Sequence, residues 1–351
     1  MTIREIAEIA GVSTATVSYV LNNTKNVTQE KRRRVLDAVA QSGYQTNNIA
    51  KSLRVKRTEN IGVLVEDIRG FPVPSIINGI SEYAGQNGYR ILLNDLRMLE
   101  SLFNQYDQIK LHKDRINEAI SLLLHGAVVD AVIYIGMFDR DITGIINEIR
   151  KPLVIAYSTA DDGHAHSVTY DSNNITHDAI RYLFNRGHRR VAVITGSQDT
   201  FPTRMRMQGV YRAFDAMGLA PDNSLIKNGD WEYQSGYSGA VELLEQANPP
   251  TAIFAMNDLM ASGAMDAIRD AGFSVPGDIS VIGFDNREIA YYLRPKLTTI
   301  EIDLKGIGLA AAKMAIDAIK GKTTETERMV IIPSKLILRD TVQDIKNMRG
   351  E

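Results

Sequence analysis

Two rhythms of apolar and polar residues divide the chain. Before residue 60, apolar positions recur at helical spacing in short bursts, at Ile6, Ala10, Val12, Val17 and Val20. Gly11 separates two bursts, and the small Ala7 stands four positions before it, where crossing helices must approach closely. The pattern predicts two short helices joined by a tight turn. That is the sequence form of a helix-turn-helix, whose second helix enters the DNA major groove. A third helix is expected from Thr28, as its N-cap, through Val35, Leu36, Val39 and Ala40 to Gly43. Residues 44–57 are polar and basic, with a short helical patch at Asn48–Leu53. A helix that short is marginal in water without a partner surface. Residues 45–59 therefore read as a hinge that orders on binding.

From Asn60 onward, apolar strand-like runs alternate with amphipathic helical stretches. The predicted strands are Ile61–Val65, Arg90–Asn94, Asp130–Ile135, Leu153–Ala156, Val191–Thr195, Ala252–Ala255 and Ser280–Phe284. Helices are expected over 74–86, 103–125, 142–149, 173–186, 204–217, 234–246 and 258–271. Continuous apolar strands separated by helices imply an α/β fold with parallel sheets covered on both faces. At this length, two smaller doubly wound subdomains are favoured over one large sheet.

Charge sharpens the division. Residues 1–60 hold ten Lys/Arg and five Asp/Glu, a balance of +5, whereas the whole chain is −2. A basic head on an acidic body suits a head that meets phosphates and a body that does not. A solvated charged face explains the run Lys31–Arg34 but not this asymmetry. There is no cysteine, so neither disulfides nor thiolate metal sites hold the fold. Arg4, Glu5 and Glu8 interrupt any signal-type apolar run, and no stretch approaches the ~18 apolar residues of a membrane span. The expected location is the cytoplasm, with no membrane partner.

Several separated motifs carry a family resemblance. In the head stands Ala7-x3-Gly11-Val12-Ser13-x-x-Thr16-Val17-Ser18-x-Val20-Leu21-Asn22, and in the hinge Tyr44-x5-Ala50-Lys51-Ser52-Leu53. The body adds Gly187-His188, Ile194-Thr195-Gly196 and Arg206-x-x-Gly209, then Phe254-Ala255-x-Asn257-Asp258-x-x-Ala261. Val275-Pro276-x-Asp278-Ile279-Ser280-Val281-x-Gly283-Phe284-Asp285 and Leu297-Thr298-Thr299-Ile300 follow. In this order and spacing the chain resembles the lac repressor/purine repressor family of bacterial transcription regulators, over roughly residues 2–340. The resemblance implies a helix-turn-helix domain at 1–44, the hinge at 45–59, and a periplasmic-binding-protein-like body at 60–340. Lobe one would span about 60–156 plus 294–320 and lobe two about 163–285 plus 329–340, leaving a tail at 341–351. Crossings between the lobes would fall near 157–162, 286–293 and 320–328.

The resemblance also implies partners: pseudo-palindromic double-stranded DNA, a second copy of the chain, and a small-molecule effector in the cleft. Ser13 is a good N-cap for the second helix, with Thr14 and Ala15 next at the base edges. Thr16, Ser18 and Asn22 are short polar groups suited to phosphate oxygens, although helix solvation alone would also account for them. Tyr19 stands where relatives often carry a long cationic or imidazole side chain, and Tyr cannot fork onto guanine. Ala50 and Leu53 match the family's hinge, whose leucine wedges into the minor groove. Asn47 and Arg54 would hold the hinge on phosphates. The tail has no leucine heptads, so tetramerisation through it is not expected.

Arg206, Asn257 and Asp285 occupy the family's polar effector positions, and Trp231 the place of a stacking aromatic. Phe71 and Tyr157 are the lobe-one candidates. Arg and Asp together present donors and acceptors to adjacent hydroxyls, so a sugar or sugar derivative is the expected effector. Two alternatives are a phosphorylated carrier protein, as for a global catabolite regulator, and a nucleobase. No enzyme, cofactor or metal site is expected. His164-x-His166 is a weak metal signal, and Gly306-x-Gly308 lacks a phosphate-loop context. The segment from Leu96 to Gly126 is long for the family.

Overall fold

The computed structural model describes residues 2–22, 26–43, 57–102, 106–125, 129–198, 200–322 and 328–346. The chain divides into two units, Met1–Thr58 and Glu59–Glu351.

Among the described residues, the first unit holds three helices: α1 (Ile3–Ala10), α2 (Thr14–Asn22) and α3 (Gln29–Ser42). Thr2 and Glu5 close a reciprocal capping box on α1. Gly11 ends α1 in the left-handed region at φ 61°, a conformation glycine adopts without a Cβ penalty. Ile6, Ala7, Ala10, Val17, Val20, Val35 and Ala38 form the small core, with Val12 and Val39 packed at its margin. Leu36 and Ala40, expected on the buried face of α3, point to solvent. Thr28 occupies the N-cap of α3 but makes no side-chain capping bond.

The second unit is built on two six-stranded sheets. The first runs in the order β11–β5–β4–β3–β1–β2. Its strands are β1 (Asn60–Val65), β2 (Arg90–Asp95), β3 (Ala131–Ile135), β4 (Leu153–Ala156), β5 (His166–Tyr170) and β11 (Met329–Ile332), and every pairing is parallel. The second runs β12–β10–β9–β8–β6–β7. It comprises β6 (Val191–Ile194), β7 (Ile226–Lys227), β8 (Ala252–Ala255), β9 (Ser280–Asp285), β10 (Thr298–Glu301) and β12 (Lys335–Ile337). Only β12 pairs antiparallel, against β10. β1, β3, β4, β6, β8 and β9 are apolar and nearly fully buried, as strands covered on both faces must be.

The helices of lobe one are α4 (Val73–Gln86), α5 (Leu99–Leu102), α6 (Lys113–His125) and α12 (Leu304–Ile319). Lobe two carries α7 (Ser172–Asn185), α8 (Phe201–Ala216), α9 (Tyr233–Leu244), α10 (Asp258–Asp270) and α11 (Glu288–Tyr292). The helix expected at 142–149 is instead a run of turns. There Ile142 N–H bonds the Thr159 carbonyl, and Ile142, Ile145 and Ile146 are buried without a helical ladder. The expected helix 103–125 is divided, with a 3-10 stretch at Tyr106–His112 ahead of α6.

Sheet membership moves all three expected crossings. β5 hydrogen-bonds between β4 and β11, so the chain leaves lobe one after Tyr170, not near 157–162. β10 pairs with β9, so the second crossing follows Glu301, not 286–293. The third lies between β11 and β12, beyond 320–328. The strands responsible are short and carry polar residues. In β5, Ser167 Oγ and Thr169 Oγ1 bond to the backbone at Ala160 and Tyr157, which lets hydroxyls sit inside a buried strand. The segment 341–346, read as a tail, is strapped across lobe two. Thr341 Oγ1 bonds the Val281 carbonyl at 2.6 Å, and Ile345 N–H bonds the Arg186 carbonyl at 2.9 Å.

Candidate functional site

In the first unit, Ser13 caps α2: its Oγ accepts from Thr16 N–H at 3.2 Å and lies 2.9 Å from Thr16 Oγ1. Ser13, Thr14 and Ala15 are exposed at the start of the helix, while Thr16, Ser18 and Tyr19 are half-buried along it. Arg34 from α3 donates to the Gly11 carbonyl at 3.3 Å and so ties the third helix to the turn. Asn22 ends α2. Asn47, Ala50, Leu53 and Arg54 lie outside the described residues, as does most of the hinge.

In the second unit, a cavity of about 510 Å³ opens between the two sheets. It sits where the strands end, the usual place for ligands in open α/β folds. All six expected effector residues, Phe71, Tyr157, Arg206, Trp231, Asn257 and Asp285, line it. Tyr157, Trp231 and Asp285 have positive φ, as does Asn286 beside them. Backbone strain of this kind gathers at ligand sites, where the surrounding structure must hold it.

Arg206 projects from α8, which starts with Pro202 in its first turn. Its guanidinium is buried over the Phe284 ring, 3.6 Å from the centroid. Nη1 donates to the Met256 carbonyl, and Nη2 donates to the Tyr170 hydroxyl at 3.1 Å. Asp285 Oδ1 is 3.9 Å away, and Arg206 Nε has no partner. Asp285 also accepts from Arg287 Nε at 3.2 Å. Arg287 in turn lies over the Phe71 ring at 4.2 Å, a cation–π contact that spans the lobes. Trp231 lies flat against Gly196, where a Cβ would stand 2.0 Å from the indole. Asn257 is committed to the scaffold: its Oδ1 caps α10 by accepting from Met260 N–H, and its Nδ2 donates to the Trp231 carbonyl. It places the indole as well as lining the cavity.

Sequence reading missed the rest of the wall, notably Arg69, Phe138, Asp139, Arg140, Phe201 and Arg287. Arg140 pairs with buried Glu66 at 2.6 Å, and Tyr134 donates to the same carboxylate at 2.5 Å. Arg69 forks onto buried Asp67, which also accepts from Leu99 N–H at 2.9 Å. The Arg69 hydrogen bonds hold the Asp67 carboxyl down at about 2. Through Leu99 the long 96–126 segment reaches the cavity. A signal was available: Glu66, Asp67, Asp139 and Arg140 all follow the ends of parallel strands. His164 bonds Asp162 and the Ile146 carbonyl, and among the described residues no cluster of three potential metal ligands forms.

Behind the cavity, Asp258 is pushed up to about 8 by burial and then by the nearby Asp285; Thr299 and Arg287 pull the other way. Thr299 Oγ1 lies 2.5 Å from one oxygen, and Arg287 N–H donates to the other at 2.6 Å. Because folding raises this carboxyl, its contribution is full below the unfolded value near 4 and is lost as pH rises to about 8. Asp258→Asn mimics the protonated acid, with Nδ2 toward Thr299 and Oδ1 toward Arg287. Its Tm is expected to exceed the parent's by several degrees at pH 8.5 and by less at pH 5. Calorimetry at the two pH values checks this, and an equal difference at both would refute it.

Residues 2–47 match the model of bacterial regulatory proteins of the lacI family, and residues 180–342 match the periplasmic binding protein-like domain. Catabolite control protein A of Priestia megaterium is 30% identical over 347 residues, covering 98% of this chain and 99% of that one. The HTH-type transcriptional repressor PurR of Actinobacillus pleuropneumoniae serotype 3 (strain JL03) is 29% identical over 345 residues, covering 98% and 99%. Among solved structures, the lac repressor dimer bound to operator and the anti-inducer ONPF superposes with a TM-score of 0.79 at 25% identity, covering 98% of this chain and 99% of that one. These relatives are transcription regulators rather than enzymes, and no described helix here is long and apolar enough to cross a membrane. With a helix-turn-helix head and a two-lobed body that both match, the chain belongs to the lacI family of bacterial regulatory proteins.

Proposed function

We propose that this regulator is a homodimeric repressor of carbohydrate-utilisation genes, whose operator affinity is switched by a neutral sugar or sugar derivative in the interlobe cavity. One observation carries the choice of ligand: each guanidinium lining the cavity already faces a carboxylate. Arg69 meets Asp67, Arg140 meets Glu66, and Arg206 and Arg287 share Asp285. Such pairs offer donors and acceptors to vicinal hydroxyls. Glu232, also on the wall, sets a fourth carboxylate beside Asp67, Glu66 and Asp285 against the four guanidiniums, so no surplus positive charge is left for a phosphate or carboxylate. Phe71, Phe138, Tyr157, Phe201 and Trp231 supply the apolar faces that sugar rings stack on. The cavity is large enough that more than one sugar ring fits the reading.

Ser13, Thr14, Ala15, Thr16, Ser18, Tyr19 and Asn22 would dock on DNA, with Thr14, Ala15 and Tyr19 facing base edges. Asn47, Ala50, Leu53 and Arg54 would complete the contact in the minor groove and on its phosphates. Paired heads on a dimer would read two half-sites.

The test uses Trp231, the only tryptophan. The full chain is titrated with glucose, maltose, cellobiose, adenine and guanine while its fluorescence and Tm are followed. A sugar is expected to change the emission and raise Tm, since ligands of the native state stabilise it. Response to a nucleobase alone would move the reading to a nucleobase-responsive repressor. No response, together with operator affinity altered by a phosphorylated carrier protein, would move it to a catabolite-control regulator.

A further inference from the structure

Two guanidiniums of lobe two meet aromatic residues of lobe one, and they differ in depth. Arg206 is 4% exposed, and its Nη2 donates to the Tyr170 hydroxyl at 3.1 Å. Tyr170 is the last residue of β5, where the chain crosses between the lobes, so that bond lies at the hinge and changes little when the lobes part. Arg287 is 27% exposed and stands on the wall of the same cavity. Its guanidinium carbon lies 4.2 Å from the centroid of the Phe71 ring. Phe71 sits in the loop between β1 and α4, on none of the crossing strands. Parting the lobes therefore breaks the Arg287–Phe71 contact.

The base of Arg287 is held firmly. Asp285 at φ 103° and Asn286 at φ 50° lie in the left-handed region, which the surrounding structure has to hold. Asn286 N–H donates to Thr299 Oγ1 at 3.4 Å, and Asn286 Nδ2 donates to Glu301 Oε1 at 3.0 Å. Both acceptors belong to β10, the strand that ends at the second crossing. Arg339, just beyond β12, donates to Asn286 Oδ1 at 2.6 Å. Arg287 N–H is bonded to Asp258 Oδ2 at 2.6 Å, and its Nε to Asp285 Oδ2 at 3.2 Å. With backbone and Nε both fixed, the guanidinium loses little rotamer freedom when it settles over the ring.

We propose that Arg287 is the latch of the cavity: its guanidinium closes the mouth onto Phe71, and the effector enters and leaves only when that contact opens. The effector lies beneath, against Arg206, Tyr157 and Trp231. The latch rests on the effector reading of the cavity. A contact made alike in the empty closed cleft and in the filled one favours neither state, so it leaves affinity almost unchanged. It is broken in the open form through which exchange passes, so it slows entry and release together. A plain ligand contact behaves differently, because losing it speeds release alone.

The experiment is stopped-flow fluorescence of Trp231 in the full chain, with whichever of glucose, maltose and cellobiose binds. Arg287→Ala is expected to raise the association and dissociation rates each by about two- to fivefold, the factor a partly exposed cation–π contact is worth. Affinity should move by less than either rate. In a Phe71→Leu background, Arg287→Ala is expected to add nothing to the association rate. Unchanged rates, a faster release alone, or an undiminished effect in Phe71→Leu overturns the proposal. A second measurement needs no ligand. The chain has no cysteine, so Glu118→Cys on α6 and Asp215→Cys on α8, both exposed, place one spin label on each lobe. Labelled chains are diluted with unlabelled ones, so that only pairs within one chain are read. Arg287→Ala is expected to lengthen and broaden the distance distribution of the empty protein, and an unchanged distribution overturns the latch. Failure of every sugar, with the distribution lengthened, would overturn the sugar reading and leave the latch supported.

Discussion

Arg206→Ala is expected to abolish the effector response while operator affinity without effector stays within about twofold of the parent's. Arg206, like Arg287, is a residue through which lobe two reaches both the ligand space and lobe one. Its Nη2 bonds Tyr170, its charge faces Asp285, and its Nε is buried without a partner. An unsatisfied buried donor costs about 1–3 kcal/mol, which a ligand acceptor would relieve on binding. Alanine removes that gain, the contact with the ligand and the lobe-to-lobe bond together. Charge-assisted hydrogen bonds contribute about 1.5–3 kcal/mol each, so losing two weakens the effector by roughly a hundredfold or more. An effector shifts the lobe equilibrium only by its differential affinity for the two states. With that difference gone, no concentration of ligand restores full switching. In the proposed reading the operator is held by residues of the head and hinge, none of which lines the cavity, so basal DNA binding is expected to be spared. Anisotropy of labelled operator, titrated with the responsive sugar, reads both quantities at once. A normal response in Arg206→Ala would remove the clamp. Arg206→Lys is the companion: it keeps the charge, loses the planar fork, and should respond only at much higher sugar concentration.

The elements that could be read in advance were those whose burial pattern is local. Ile6, Ala7, Ala10, Val17 and Val20 repeat at helical spacing and form the head's core. β3, β4, β6 and β8, with Ile61–Val65 of β1 and Val281–Phe284 of β9, are continuous apolar runs because both faces are covered. β5, β7, β10, β11 and β12 escaped notice for a different reason. They are short and carry polar residues, which are satisfied only after folding, several of them from distant parts of the chain. Thr298 N–H, for instance, bonds Thr341 Oγ1 across 43 positions. Missing them misplaced each crossing. The site shows the same division. Arg206, Asp285 and Trp231 were found through motif order. Asp139 and Arg140 stand in the irregular segment after β3, where neither period nor motif marks them. Asn257 was found, and its capping of α10 is local, but its bond to the Trp231 carbonyl depends on a turn between β7 and α9 that sequence alone does not draw.

Gly308→Val is expected to destabilise the second unit more than any single exposed change, and it turns on a glycine that the sequence offered only as half of a weak phosphate-loop pattern. Gly308 lies in α12 where that helix crosses α4, and a Cβ there would stand 2.1 Å from the Ile76 carbonyl. Gly79 meets it from α4, where a Cβ would stand 2.2 Å from the Lys305 carbonyl. Both obstacles are backbone, so no side chain can swing aside. Valine must push the helices apart and loosen the packing of Ile76, Ile80, Ile307 and Ala311, all buried. Overpacking typically costs about 1–3 kcal/mol, and a branched side chain against backbone belongs at or above the upper end. For a unit of this size that corresponds to roughly 5 °C in Tm. The cavity should feel it as well, because α4 begins directly after Phe71 and Pro72, so a displaced α4 carries that wall with it. Gly85 supplies the control within the same helix. It is exposed, and a Cβ there meets nothing within 4 Å. Gly85→Ala should therefore raise Tm slightly, since alanine is favoured over glycine inside a helix by about 1 kcal/mol. Scanning calorimetry of the three proteins separates close approach from helix propensity. A Gly308→Val protein as stable as its parent would mean that the two backbones do not meet at this crossing.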